Sequence, residues 1–414
     1  MPTKGNALGT TALTGARVID GRGAAPVDDQ TILIEDDRIA SVGPGGVPAG
    51  VTPDVVIDLH GQTVTPGLID MHVHTAHPIA DSEVWGGRMG RYLSADELAV
   101  WSMVNARRAI RAGLTTVRDV GCATDSVFAL RRLTGWDVTL GPRVLAAGQL
   151  LCITGGHGHQ LFGYECDGVD EATKGARLQL KRGADLIKLC ATGGAATKHE
   201  KITENQFTRA EMTAIVEVAH ERGKRVAAHA HATSGIKAAI EAGVDTIDHG
   251  VILDDEAVAM MAEAGTYLVP TLSIYPALAT IGPSKGLEPH AAEKGAQVAE
   301  IHQASLWLAH QAGVKIAFGT DAAGPYHLIG GPGVLRAEFE LMAGAGMTPL
   351  EVFQAATSVS AEALGLEAEI GAVEPGKIAD LVVYPGDPLT DLDLIDTPAM
   401  VFRGGTLCGM TESW

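Results

Sequence analysis

From about Ala12 to Thr65 the chain runs in short alternating apolar and polar stretches broken by Gly and Pro, as in "ARVIDGRG" and "QTILIEDDRIASVGPGG". Such runs predict strands, and "EDDRIASVG" predicts a hairpin with a tight turn. From about Gly67 to Leu366 the rhythm changes. Short apolar runs ("GLIDMHVH", "LTTVRDVG", "RVLAAGQLL", "ADLIKLCATGG", "RVAAHAHA", "VDTIDHG", "TYLVPTL", "VKIAFGTDA") alternate with amphipathic helical segments such as "SADELAVWSMVNARRAIRAG" and "TRAEMTAIVEVAHERG". Several helical segments end in Ala-Gly or Arg-Gly, a helix C-terminal signature. The last stretch, with "GAVEPGKIADLVVYPGDP" and "PAMVFRGGTL", returns to β-type text.

Eight β-α units over about three hundred residues predict an α/β protein, a TIM-like (β/α)8 barrel. A doubly wound open sheet would normally show G-x-G-x-x-G after its first strand, and that motif is absent there. The flanking β-type zones are each too small to fold alone. They are expected to pair into one small β-sandwich domain, residues 1–65 plus 367–414, beside a barrel spanning residues 66–366.

Composition narrows the class. The chain has 414 residues, 46 % hydrophobic and 20 % charged, which describes an ordinary globular protein with room for one large and one smaller domain. Its net charge of −19 argues against nucleic-acid or anionic-membrane partners. Five scattered cysteines without C-x-x-C argue against a disulfide framework or a thiolate zinc site, and a reducing cytoplasm is expected. No apolar run of membrane-spanning length and no N-terminal apolar leader is read.

The unusual polar residues fall at the ends of the expected barrel strands, where this fold places its chemistry. His72 and His74 lie two apart in "DMHVH", so a strand presents both on one side. Lys188 lies in strand four, His229 and His231 end strand five, His249 ends strand six and Asp321 ends strand eight. Singly, each has an ordinary reading: His249 as a satisfied core residue, Asp321 as a helix N-cap. Together they bring imidazole, amine and carboxylate from five strands to one mouth, which suits metal ions. Lys188, flanked by Leu186, Ile187, Leu189 and Cys190, must snorkel, pair with a carboxylate or change its chemistry. A buried neutral amine can add carbon dioxide, and the resulting carbamate has two oxygens that could bridge two cations.

The motifs "TPGLIDMHVH", "GADLIKLCATGG", "AAHAHATSGIKAAIEAGVDTIDHG", "FGTDA" and "ATSVSAEALGL…GAVEPGKIADLVV" resemble the amidohydrolase superfamily. The resemblance covers essentially the whole chain. It is closest to the branch of imidazolonepropionase-like prolidases, ochratoxin-type amide hydrolases, and some carbamate and urea hydrolases. It implies two divalent cations, expected as zinc. His72, His74 and Asp321 would hold the more buried one, His229 and His249 the second, with carbamylated Lys188 bridging both. His229 and His231 share a strand face, so parity does not choose between them. Family spacing favours His229 as the ligand and leaves His231 to contact substrate. Imidazolonepropionase itself fits less well, because it normally works with one metal and lacks the strand-four carbamate, whereas Lys188 is present here.

The implied reaction is hydrolysis of an amide C–N bond by metal-activated water. Asp321 would take the water's proton and later return it to the leaving nitrogen. The expected substrate is a small molecule, a dipeptide of the Xaa-Pro kind or an N-acyl amino acid, with carbamates or ureas as the alternative. Candidate substrate contacts are His157 in "GGHGHQLFGYECDG", Tyr164 in the same loop, His231, His327 in "AAGPYHLIGG", and Arg88 in "PIADSEVWGGRMGRYLSADEL". An Arg there could grip a carboxylate in bidentate fashion. A non-catalytic scaffold would have lost metal ligands, whereas every ligand position is filled here. The family pattern also leads to the expectation of a homo-oligomer.

Overall fold

The computed structural model describes residues 9–77, 94–195, 198–323 and 327–410. Along the chain lie strands β1 (Thr10–Val18), β2 (Val27–Glu35), β3 (Arg38–Pro44), β4 (Val55–Asp58), β5 (Thr63–Pro66) and β6 (Leu68–Val73). There follow β7 (Leu114–Asp119), β8 (Arg143–Ala146), β9 (Leu150–Cys152), β10 (Gly163–Glu165), β11 (Leu186–Cys190), β12 (Arg225–Ala230), β13 (Thr246–His249) and β14 (Tyr267–Val269). The chain ends with β15 (Leu381–Tyr384), β16 (Met400–Arg403) and β17 (Thr406–Met410).

The two chain ends meet in one eight-stranded sheet, ordered β17-β16-β15-β5-β1-β2-β3 with β4 also on β1. The expected pairing of the ends is therefore present, but as a single sheet; no second facing sheet occurs among the described residues. The reason lies in the pairing itself. β15 adds antiparallel to β5, and the far side of the sheet curls back, since Ile39 N–H donates to Lys377 O and Ala379 N–H to Asp37 O, both just before β15. Leu13, Ile32, Ile34, Ile39, Val383 and Phe402, drawn from five strands of that order, share one buried cluster. One rolled layer thus buries the apolar face that a sandwich would bury between two.

The middle of the chain forms parallel sheets, β10-β9-β11-β12-β13-β14 and β6-β7-β8. No continuous eight-strand ladder closes them among the described residues. Single hydrogen bonds span the gaps. Met71 N–H donates to Phe318 O and Asp321 N–H to His72 O, and Ala317 N–H donates to Leu268 O. Segment 315–322 thus lies between β14 and β6. On the other side Asp185 N–H, just before β11, donates to Ala146 O of β8. β6, β7, β11 and β13 are buried along their whole length, as parallel strands covered on both faces must be.

Helices between these strands start and stop where their sequences say. Ser94 with Glu97, Thr208 with Glu211 and Thr348 with Glu351 form reciprocal capping boxes, each satisfying backbone N–H groups that the first turn leaves open. Gly183 and Gly243 end two helices in the left-handed conformation, where a side chain would be strained. The described residues include no helix long and apolar enough to cross a membrane.

Phe402 is 2 % exposed in the rolled sheet. Phe402→Ala is expected to destabilise the protein by about 3–5 kcal/mol, read as a lower urea midpoint at an unchanged slope. An unchanged midpoint would mean that this face is not a core.

Candidate metal centre

His72 in β6 and His74 just beyond it point the same way, as two-residue spacing requires. They converge with Asp321 into one group of potential ligands, while His229, His231 and His249 form a second; within each group the ligand atoms lie within 4.8 Å of one another. Asp321 Oδ1 is 3.4 Å from His72 Nε2 and 3.5 Å from His74 Nε2. The groups adjoin, with the His72 and His249 rings 4.9 Å apart. Lys188 lines the same cavity and stands electrostatically against members of both groups, His72 on one side and His229 and His249 on the other.

The donor set suits cations. His74 Nδ1 donates to Gly121 O at 3.0 Å and His249 Nδ1 meets Thr271 Oγ1 at 2.7 Å, which leaves each Nε2 lone pair for a ligand, as second partners of metal-bound histidines do. Burial, reinforced by neighbouring positive charge, holds His229, His231 and His249 well below the ordinary histidine pKa and His72 at about 4. These imidazoles are neutral and free to coordinate. Burial also works against a proton on His74, but Asp321 and Asp119 outweigh it and raise its pKa. The first group therefore favours a positive charge in its midst. Burial pulls Asp321 up, yet His72 and His74 hold it below the usual carboxylate range.

Beneath the imidazoles lies a buried ion network that sequence reading did not anticipate. Asp248, fully buried, takes Arg118 Nη2 on Oδ1 at 2.8 Å and Lys188 Nζ on Oδ2. His72 Nδ1 is 3.2 Å from the same Oδ2, close but without hydrogen-bond alignment. Arg118 also donates to Met71 O and to Thr246 Oγ1, so one guanidinium ties β7 to β6 and β13. Burial weakens the hold of Lys188 on its proton, and Asp248 opposes that loss.

Three ordinary residues at the site have positive φ: His249 at 74°, Thr271 at 52° and Asp321 at 54°. Each costs about 1–3 kcal/mol and persists only where the surroundings enforce it. At His249 the benefit is visible. Alternation along β13 would send Asp248 and His249 to opposite faces, and the left-handed backbone brings both to the centre. That break of period explains why Asp248 escapes a reading based on alternation.

The cavity over these groups has a volume of about 450 Å³, and part of its wall is apolar: Leu150, Leu161, Phe162, Ile274, Leu278 and Leu287. His157 and His231 line it as well. His157 Nδ1 is 3.0 Å from Glu200 Oε1, and Gly194 leaves the space its ring fills, since a Cβ there would lie 2.3 Å from that ring. His231 Nε2 meets Tyr275 Oη at 2.8 Å; Tyr275, also on the wall, had no sequence signal beyond its place after β14.

Two expected substrate contacts are placed elsewhere. Tyr164, on the short edge strand β10, packs toward Gly175 of the helix Gly168–Arg182 and does not line the cavity. His327 is buried behind Asp321, its Nε2 donating to Thr320 O at 2.9 Å with Ser273 Oγ at 3.1 Å, so its polar contacts are with protein. Arg88 lies outside the described residues.

Residues 63–408 match the model of the amidohydrolase family. Ochratoxinase from Aspergillus niger is 30 % identical over 444 residues, spanning 96 % of this chain and 86 % of that protein. Among solved structures, a Xaa-Pro dipeptidase with methionine bound in its active site superposes with a TM-score of 0.88 at 32 % identity, over 96 % of this chain and 99 % of the other. A prolidase complexed with N-methylphosphonate-L-proline gives 0.89 at 31 % identity, over 97 % and 100 %. With the imidazoles, the lysine and the aspartate gathered around one cavity, the chain belongs to the amidohydrolase family and is a hydrolase acting on amide bonds.

Proposed function

We propose that this hydrolase uses two divalent cations, zinc in the first instance, to cleave the amide of a dipeptide or an N-acyl amino acid. The observation that carries the reading is the meeting of two ligand groups across Lys188. His72, His74 and Asp321 would hold one cation, and His229 and His249 the other. Lys188, as its carbamate, would bridge them. The scaffold is read as a (β/α)8 barrel, supported by parallel segments joined in sequence around the site and by the structural relatives.

Bound cations would supply an activated water and polarise the scissile carbonyl. The protein's own part begins with Asp321. Held anionic by two imidazoles, it is suited to accept a proton from the attacking water and return it to the leaving nitrogen. His157 has Nδ1 committed to Glu200, which leaves its other nitrogen for the substrate. The apolar wall excludes water and offers a place for a hydrophobic side chain or acyl group. The Xaa-Pro dipeptidase, as its name states, acts on Xaa-Pro dipeptides, and ochratoxinase on ochratoxin. The carbamate or urea alternative has no observation of its own and becomes an outcome of the assay.

Zinc-loaded protein is expected to hydrolyse members of a panel of Xaa-Pro dipeptides and N-acyl amino acids faster than aryl carbamates or phenylureas, followed by release of free amine. Faster turnover of carbamates would reverse the substrate order. Asp321→Asn is expected to lower kcat by about 10²–10⁴-fold, and a full-rate variant would remove Asp321 from proton transfer. Lys188→Ala is expected to bind less than two equivalents of zinc by elemental analysis, and bicarbonate with a short-chain acid should partly restore the second. Two equivalents held without either additive would contradict the bridge.

A further inference from the structure

Glu338 lies on the helix Val334–Gly344 and is fully buried, yet it does not line the catalytic cavity. Its two oxygens divide between successive backbone groups: Oε1 accepts from Leu272 N–H at 2.8 Å and Oε2 from Ser273 N–H at 2.7 Å. Those residues directly follow Thr271, whose φ of 52° is unfavourable for a β-branched side chain. Thr271 is the residue whose hydroxyl meets His249 Nδ1 at 2.7 Å. A second branch leaves from Ser273. Its backbone N–H is held by Glu338 while its hydroxyl meets His327 Nε2 at 3.1 Å, and His327 Nε2–H donates to Thr320 O at 2.9 Å. Thr320 immediately precedes Asp321, itself at positive φ.

A single carboxylate therefore stands behind two strained turns, each of which aims one expected ligand. We propose that Glu338 is a positioning residue for the metal centre. It clamps the Thr271–Ser273 turn so that His249 faces one cation, and through Ser273 and His327 it holds the turn that presents Asp321 to the other. The two-pronged acceptance is what the role requires. A carboxylate satisfies two adjacent N–H groups at once, whereas an amide accepts with one prong and turns its NH2 against the second N–H. Leu272 and Ser273 would then share one acceptor, and the turn would relax toward ordinary φ, carrying the Thr271 hydroxyl away from His249. No contact with substrate is involved. The role rests on the reading of His249 and Asp321 as metal ligands.

The test compares full-length wild type with Glu338→Gln, both stripped of metal and titrated with zinc against a chromophoric chelator. Far-UV circular dichroism and melting of the metal-free forms are followed in parallel. The expected result is zinc affinity lowered by about 10–100-fold in a variant with wild-type circular dichroism. Equal zinc affinity, or a lower melting temperature with the zinc affinity of the folded fraction intact, overturns the positioning role alone. Failure of the wild type to take up zinc overturns the metal reading, and this proposal with it. Should Glu338→Gln not fold, Ser273→Ala interrupts the branch toward Asp321. Weakened zinc binding there supports the proposal, and a wild-type isotherm overturns it.

Discussion

Asp248 is the interaction on which the centre of the molecule turns. A carboxylate withdrawn completely from water is tolerable only when its charge is met at close range. Here two cations meet it, Arg118 from β7 and Lys188 from β11. The guanidinium then spends its remaining donors on Met71 O and Thr246 Oγ1. In consequence side chains of β7, β11 and β13 and the backbone of β6 are fixed against one another at the level just below the imidazoles. The imidazoles above inherit their spacing from this floor. Loss of Arg118 would strip this buried carboxylate of the partner whose charge does not depend on the state of Lys188, a costly defect in a core.

Above the floor, geometry is held by strain and its restraints. The left-handed residues His249, Thr271 and Asp321 would each drift to ordinary conformations if their partners let go. They are instead bound by short contacts, Thr271 to His249 and Asp70 to Thr320 and the His72 N–H. Asp70 illustrates the balance. Burial raises its pKa to about 7, while the hydrogen bonds from Thr320 and His72 pull the other way. The site is thus stiff before any ligand enters, which is what cation binding and catalysis both reward.

Much of this was legible in the chain. Two-residue spacing put His72 with His74 and His229 with His231, and both pairs do share a group. A lysine inside an apolar strand announced that its charge needed an answer, though not that Asp248 would supply it. The answer was hidden because β13 breaks its alternation at His249, an event that no pattern of residue types records. Loop chemistry was legible only as composition. Tyr164 and His327 had the right polarity and sat in the right loops, but one packs on a helix and the other braces Asp321 from behind. Similarly, the β-type ends of the chain advertised that they would pair, while the number of layers depended on how far one sheet could curl.

The union of those ends has a temporal side. β5 finishes at Pro66 and β6 starts at Leu68, so the strand carrying the first histidine is anchored in the sheet formed by both ends. β5 receives one of its neighbours only from β15, more than three hundred positions later. During synthesis at the ribosome that edge stays open to stray β pairing until β15 has emerged. Maturation of the catalytic centre therefore waits on residues 381–384, and a product terminated before them is left with an adhesive strand beside a half-supported site.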